Sequence, residues 1–217
     1  MKLVRDLERS LEHLVEGVTG RVFRGHLHPA ELAGRLIREA DLATFPTEAG
    51  PATCNVYRLL VHPDDLGDTQ VPAELERELE AVLGDAAVER GWRLEGPPTV
   101  RVQPDPSVRA GAAEWQGEVR KGRLEPWAHL MGETSLAVGP NRALVGRSST
   151  CDVVVNEPQV SRRHALLWRE GGSAWLVDLG SSNGTRVEGR LVGEDRMAVD
   201  PGAVVTFGKA RFTFQTR

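Results

Sequence analysis

Cysteine is nearly missing from this 217-residue sequence: Cys54 and Cys151 stand alone, far apart, with no C-x-x-C or zinc-ligand spacing around either. That excludes a disulfide framework and a cysteine-based metal site, and leaves two buried or idle thiols. Lysine is scarce as well, three residues against 24 arginines, a bias that reflects GC-rich coding more than chemistry. No apolar run approaches the ~20 residues that span a bilayer, and the N-terminus lacks the apolar core of a signal peptide. The expectation is a cytoplasmic protein with no direct membrane insertion. Catalytic signatures are missing too: there is no phosphate-binding glycine loop, nucleophile elbow, H-E-x-x-H or kinase motif. His13, His26, His28, His62 and His129 are scattered, and the carboxylates follow helix-surface spacing. Nothing nominates an enzyme, a cofactor or a metal.

What remains is ordinary globular material, 40% hydrophobic and 27% charged, long enough for two domains. The formal charge of -4 is unevenly divided: residues 1–130 carry 16 Lys+Arg against 22 Asp+Glu, and residues 131–217 carry 11 against 9. The acidic first part argues against nucleic acid or an anionic membrane surface, whereas the mildly basic second part suits an acidic ligand.

Helical spacing dominates the first half. Leu3, Val4, Leu7, Leu11, Leu14, Val15 and Val18 form an amphipathic stripe whose polar face is mixed in charge, unlike a membrane-surface helix. After a short segment, Arg21–Gly25, Pro29 opens a second helix with Ala33, Leu36, Ile37 and Ala40 inward. Residues 55–62 read as a buried strand closed by Pro63. Pro72 opens a third helix with Leu75, Leu79, Val82, Leu83 and Ala86 as its stripe, and Glu74, Glu76, Glu78 and Glu80 mostly on solvated faces. Strands follow at 99–103 and 115–120. The product is a small α+β domain, helices packed on one face of a short sheet.

The last third changes rhythm. Short strands at 135–138, 143–146, 152–155, 163–169, 174–179, 203–207 and 210–215 predict a sandwich, with Phe207, Phe212 and Phe214 in its core. Between them stand Gly146-Arg147-Ser148, Ser161-Arg162-Arg163-His164 and Ser182-Asn183-Gly184-Thr185. Arg147 offers a permanently charged fork of donors suited to a phosphate dianion. Ser161 and Ser182 add hydroxyls and Arg162 a second positive charge, so the set could bind an anion without metal. Each piece also has a plainer reading. Asn183-Gly184 is a common hairpin-turn pair, Ser161 could be plain surface, and a lone His164 is most often a hydrogen-bonded structural histidine.

In order and spacing these motifs, with the lead-in Asp178-Leu179-Gly180-Ser181, resemble the forkhead-associated (FHA) domain over roughly residues 133–217. The resemblance implies an all-β FHA sandwich that reads phosphothreonine. Arg147, Ser161, Arg162 and Ser182 match its phosphate contacts, and Asn183 matches the residue that holds the peptide backbone. Gly146, His164 and Gly184 match positions that shape the loops. Preference for threonine over serine does not follow from one methyl group, whose burial is worth only about 0.8 kcal/mol.

A second resemblance covers the first half. Leu14-Val15-Glu16-Gly17, Val22-Phe23-Arg24-Gly25, Pro29-Ala30-Glu31-Leu32-Ala33, Arg38-Glu39-Ala40-Asp41, Asn55-Val56-Tyr57 and Gly91-Trp92 are similar to the N-terminal domain of FhaA-type proteins. That family implies a non-catalytic signalling adaptor that binds phosphothreonine-containing proteins in a Ser/Thr kinase pathway controlling peptidoglycan synthesis. Its implied partners are a membrane Ser/Thr kinase or the phosphorylated pseudokinase-like region of a lipid II flippase, either of which would recruit the protein to the membrane. The organisation predicted is an FhaA-like α+β domain over 1–120, a short linker over 121–133 and an FHA domain over 134–217. Such a linker reaches at most ~45 Å, and its Trp127, Leu130 and Met131 are apolar for a flexible tether. Two rival classes stay open: a phosphate-independent scaffold or dimerisation module, and an enzyme hidden in the first domain.

Overall fold

The computed structural model describes residues 27–66 and 73–216, grouped in two compact units. The predicted first helix, the Arg21–Gly25 segment and Pro72 lie outside the described residues. The first unit takes in the described residues up to Pro46, Pro51–Glu89 and Leu94–Gly122; the second takes in Thr47–Gly50, Arg90–Arg93 and Arg123–Arg217.

The first unit begins with helix α1, Pro29–Leu42, which starts where proline fixes φ at a position needing no amide. His28 caps it, its Nδ1 accepting from the Ala30 N–H at 3.3 Å. Leu32, Ala33, Leu36 and Ala40 are buried, whereas Ile37 is only half-buried. A small hairpin not predicted from sequence follows, β1 Phe45–Thr47 and β2 Gly50–Ala52, of which Thr47–Gly50 is counted with the second unit. Strand β3, Val56–Val61, is the centre of a three-stranded sheet. Helix α2, Ala73–Arg90, carries the chain across to β4, Thr99–Pro104, which lies parallel to β3, and β5, Ala113–Glu118, returns antiparallel. The predicted stripe of α2 is buried, joined by Ala87 and Val88.

Glu76 and Glu80 depart from the solvated role predicted for them. Strand β4 is an edge strand, and its outward amides at Val100 and Val102 donate to Glu80 Oε1 at 3.1 Å and Glu76 Oε1 at 2.9 Å. Arg101 then bridges both carboxylates. The helix thus closes an edge that would otherwise present unpaired donors. Replacing both glutamates by alanine is expected to cost about 2 to 4 kcal/mol, since two amides lose charge-assisted acceptors; urea denaturation of the full chain reads this directly.

The second unit is a sandwich. Its strands are β6 Ala128–Met131, β7 Ser135–Val138, β8 Arg142–Gly146, β9 Val153–Val154, β10 Ala165–Glu170 and β11 Ser173–Asp178, followed by β12 Thr185–Val187, β13 Arg190–Val192, β14 Met197–Ala198, β15 Val204–Phe207 and β16 Ala210–Thr216. One sheet runs β14-β11-β10-β8-β9 and the other β13-β12-β15-β16-β6-β7. Side chains from their inner faces, among them Val145, Leu167, Leu176, Val205, Phe207 and Phe214, fill the space between.

The segment read as the end of a linker is part of this core. Leu130 pairs with Phe214 on one side and Leu136 on the other, so Ala128–Met131 is a central strand rather than a tether. Trp127 is buried, its indole N–H donates to Pro140 O at 2.9 Å, and its ring meets Phe214 edge-on. Burial accounts for two of the apolar residues that sat oddly in a tether, Trp127 and Leu130, whereas Met131 stays exposed. Strands β12, β13 and β14, also absent from the sequence reading, have two or three residues each, too few for a periodic signal. Among the described residues, no helix is long and apolar enough to cross a membrane.

Candidate functional site

Three loops meet at one end of the sandwich: 147–152 after β8, 155–164 before β10, and 179–184 between β11 and β12. The first two are zipped by backbone bonds, Arg147 N–H to Ser161 O at 2.9 Å and Ser148 N–H to Arg162 O at 3.1 Å. Such close approach explains Gly146, where a Cβ would stand 2.4 Å from Arg162 O and 3.0 Å from Cys151 Sγ. Cys151 is buried beneath the loops and its thiol donates to the same carbonyl at 3.2 Å. Burial pushes that thiol's pKa up, as fits a packing role rather than a reactive one.

His164 is the internal strut. Fully buried, it accepts the Ser161 N–H on Nδ1 at 3.0 Å. The proton therefore sits on Nε2, 3.3 Å from Gly184 O, so the ring joins the second loop to the third. Burial lowers its pKa, outweighing the Gly184 hydrogen bond and the charge of Asp178. Gly184 has φ 75°, a conformation that favours glycine, and a Cβ there would also meet Leu191.

Asp178 organises the third loop. Its carboxylate accepts from the Ser181 N–H and O–H, both at 2.7 Å, and from the Thr185 hydroxyl at 2.6 Å. Burial alone would raise its pKa, but these hydrogen bonds and His164 hold it below the usual carboxylate value.

On this frame, Arg147, Ser161, Arg162, Ser182 and Asn183 come together around one open cavity of about 650 Å³. Arg147 is exposed, and its Nε donates to Val160 O at 3.2 Å. That bond anchors the guanidinium by its stem side, on the lining of the cavity. Ser161 Oγ accepts the Ser182 N–H at 3.1 Å, which leaves the Ser161 hydroxyl hydrogen available to a ligand. Asn183 donates from Nδ2 to Gln159 O at 2.8 Å, and its Oδ1 remains as an acceptor. Gly146, His164 and Gly184 are not on the cavity lining; their contacts are with the loops that carry it.

The cavity also has Ser148, Thr150 and Arg163 on its lining, which the motif reading did not nominate. Ser148 and Arg163 sit directly beside motif residues; Thr150 carries no sequence signal of its own. Among the described residues, no group of three or more His, Cys, Asp or Glu is placed to hold a metal ion.

Comparison with known proteins agrees with the two-part organisation. The family model described as FhaA, N-terminal domain, matches residues 4–116, and that of the FHA domain matches residues 143–208. The chain is 34% identical over 135 residues to the FHA domain-containing protein FhaB of Mycolicibacterium smegmatis, covering 62% of this chain and 78% of that one. It is 41% identical over 71 residues to the glycogen accumulation regulator GarA of the same organism, covering 33% and 44%. It thus spans less than half the length of GarA. Similar solved structures include Mycobacterium tuberculosis EmbR in complex with a low affinity phosphopeptide, at 26% identity and TM-score 0.38 over 41% of this chain and 24% of that one. Another is the FhaA FHA domain complexed with the intracellular domain of Rv3910, at 24% identity and TM-score 0.37 over 41% and 99%. With one family model matched over more than half of its length and the other matched behind it, the chain belongs to the FhaA-type family, an FhaA N-terminal domain followed by an FHA domain.

Proposed function

We propose that this protein is a non-catalytic adaptor that binds phosphothreonine-containing partner proteins through its FHA domain. The observation that carries this reading is the convergence of Arg147, Ser161, Arg162, Ser182 and Asn183, from three separate loops, on one cavity. A phosphothreonine brings about -1.5 to -2 charges and three acceptor oxygens. The outer nitrogens of Arg147 take the phosphate in charge-assisted bonds, Ser161 and Ser182 donate hydroxyls, and Arg162 adds positive potential. Asn183, held by Gln159 O, presents an amide that binds the peptide backbone and sets its register.

Partners are then products of a Ser/Thr kinase. The FhaA-type architecture supports placing them in signalling linked to cell-wall synthesis, as a membrane kinase or the phosphorylated pseudokinase-like region of a lipid II flippase. Binding to such a partner would recruit the protein to the membrane surface.

An oriented phosphothreonine peptide library, run beside phosphoserine and unphosphorylated libraries, tests the reading. The expected result is selective capture of phosphothreonine peptides. Equal capture of unphosphorylated peptides by the folded protein would replace this reading with that of a phosphate-independent scaffold.

A further inference from the structure

The cavity holds more donors than one phosphate group uses, and their hydrogen bonds divide them into two groups. In the first group the Ser182 N–H rests on Ser161 Oγ, and Asn183 rests on Gln159 O. Ser148, Thr150 and Arg163 line the same cavity, at and beyond the Ser148–Arg162 bond along the chain. The Arg162 carbonyl takes both the Ser148 N–H and the Cys151 thiol. The Ser148 and Thr150 hydroxyls are 2.9 Å apart, so one donates to the other and a single O–H hydrogen is left to point outward.

Arg163 reveals what this second group accepts. Its Nη1 lies 3.1 Å from Oε1 of Glu48, in the Thr47–Gly50 segment of the same compact unit. Both side chains are well exposed, at 46% and 69%, so the pair is solvent-screened and readily exchanged. A carboxylate therefore already stands against the arginine, as a ligand's would.

We propose that Ser148, Thr150 and Arg163 form a second anionic subsite, which takes the carboxylate or phosphate of another residue in the same phosphopeptide in competition with Glu48. The inference rests on the phosphothreonine reading of the first group. It makes the preferred ligand a segment with two negative side chains rather than one.

Titration calorimetry of the full chain against three peptide sets tests it. One peptide carries a single phosphothreonine; the second set moves a glutamate through the three positions on either side; the third replaces that glutamate with a second phosphothreonine. At one or two positions the added glutamate is expected to tighten binding about threefold, and the second phosphate about tenfold. Both gains should shrink as salt is raised. A gain with glutamate identifies an acidic neighbour, and a gain only with the second phosphate identifies a doubly phosphorylated segment; either supports the subsite. Arg163→Gln should bring the ratio of doubly to singly anionic affinity to one, and Glu48→Gln should raise it. Binding of the singly phosphorylated peptide with no gain at any position, or a gain that survives Arg163→Gln, overturns the subsite alone. No binding of the singly phosphorylated peptide overturns the phosphothreonine reading and the subsite with it.

Discussion

Arg147→Ala is expected to weaken binding of a phosphothreonine peptide by about 2 to 5 kcal/mol, roughly 30- to 5,000-fold. That is the range for truncating one partner of a charge pair taken out of water. Arg147 sits at its high end because its guanidinium is held in place before the ligand arrives, by the Nε bond to Val160 O. Little ordering cost remains to be met on binding. Arg147→Lys keeps the charge but not the fork, and should fall between the two. Calorimetric titration gives the affinities, with circular dichroism and thermal melting as checks on folding. An alanine variant that is folded and binds like the parent would remove Arg147 from the phosphate site.

His164→Ala should do its damage to stability, about 3 to 5 kcal/mol. The substitution removes a fully buried ring that packs edge-on against Phe207 and deprives Ser161 N–H and Gly184 O of their partners. The same residue gives the fold a pH dependence whose sign is set by burial. Its folded pKa lies below the unfolded value of about 6.5, so the imidazole contributes fully above that value and progressively less as pH falls through its folded pKa. Urea midpoints measured between pH 7.5 and 5.5 should therefore decline in the parent and flatten in His164→Gln. A parent midpoint that holds or rises over that interval would contradict a buried neutral imidazole. The depressed pKa of Asp178 acts in a lower window: its contribution is present above about 3.9 and disappears as the carboxylate is protonated below that.

The site was more legible than the scaffold around it. Gly146-Arg147, Ser161-x-x-His164 and Asn183-Gly184 can be seen in the sequence because each needs a particular residue for a local reason: close approach, a charged fork, a left-handed turn. Thr150 joins the cavity only through the way the loops are zipped, and one threonine among many carries no such mark; Arg163 stands within the Ser161-x-x-His164 spacing, which does not tell that it reaches the cavity lining. In the scaffold, the stripes of α1 and α2 showed because helical periodicity accumulates over many residues. Strand β6 was hidden by its neighbours: four residues beside glycine, proline and charge look like a connector until Phe214 is found opposite Leu130. Glu76 and Glu80 were misplaced for a related reason, since spacing along a helix records which face a carboxylate is on and says nothing of the strand edge that face meets.

The pairing of β6 with β16 bears on how the second unit folds. Its sheet can be zipped only when the strands at opposite ends of the unit have both left the ribosome, a contact of long sequence separation that slows folding. Until then Trp127 and Leu130 have no Phe214 to cover them, and the nascent sandwich exposes apolar surface of the kind that chaperones hold. A piece cut at residues 143–208 would keep every recognition loop but lack β6, β7 and β16, three of the six strands of that sheet, and leave the inner face of the other sheet partly uncovered.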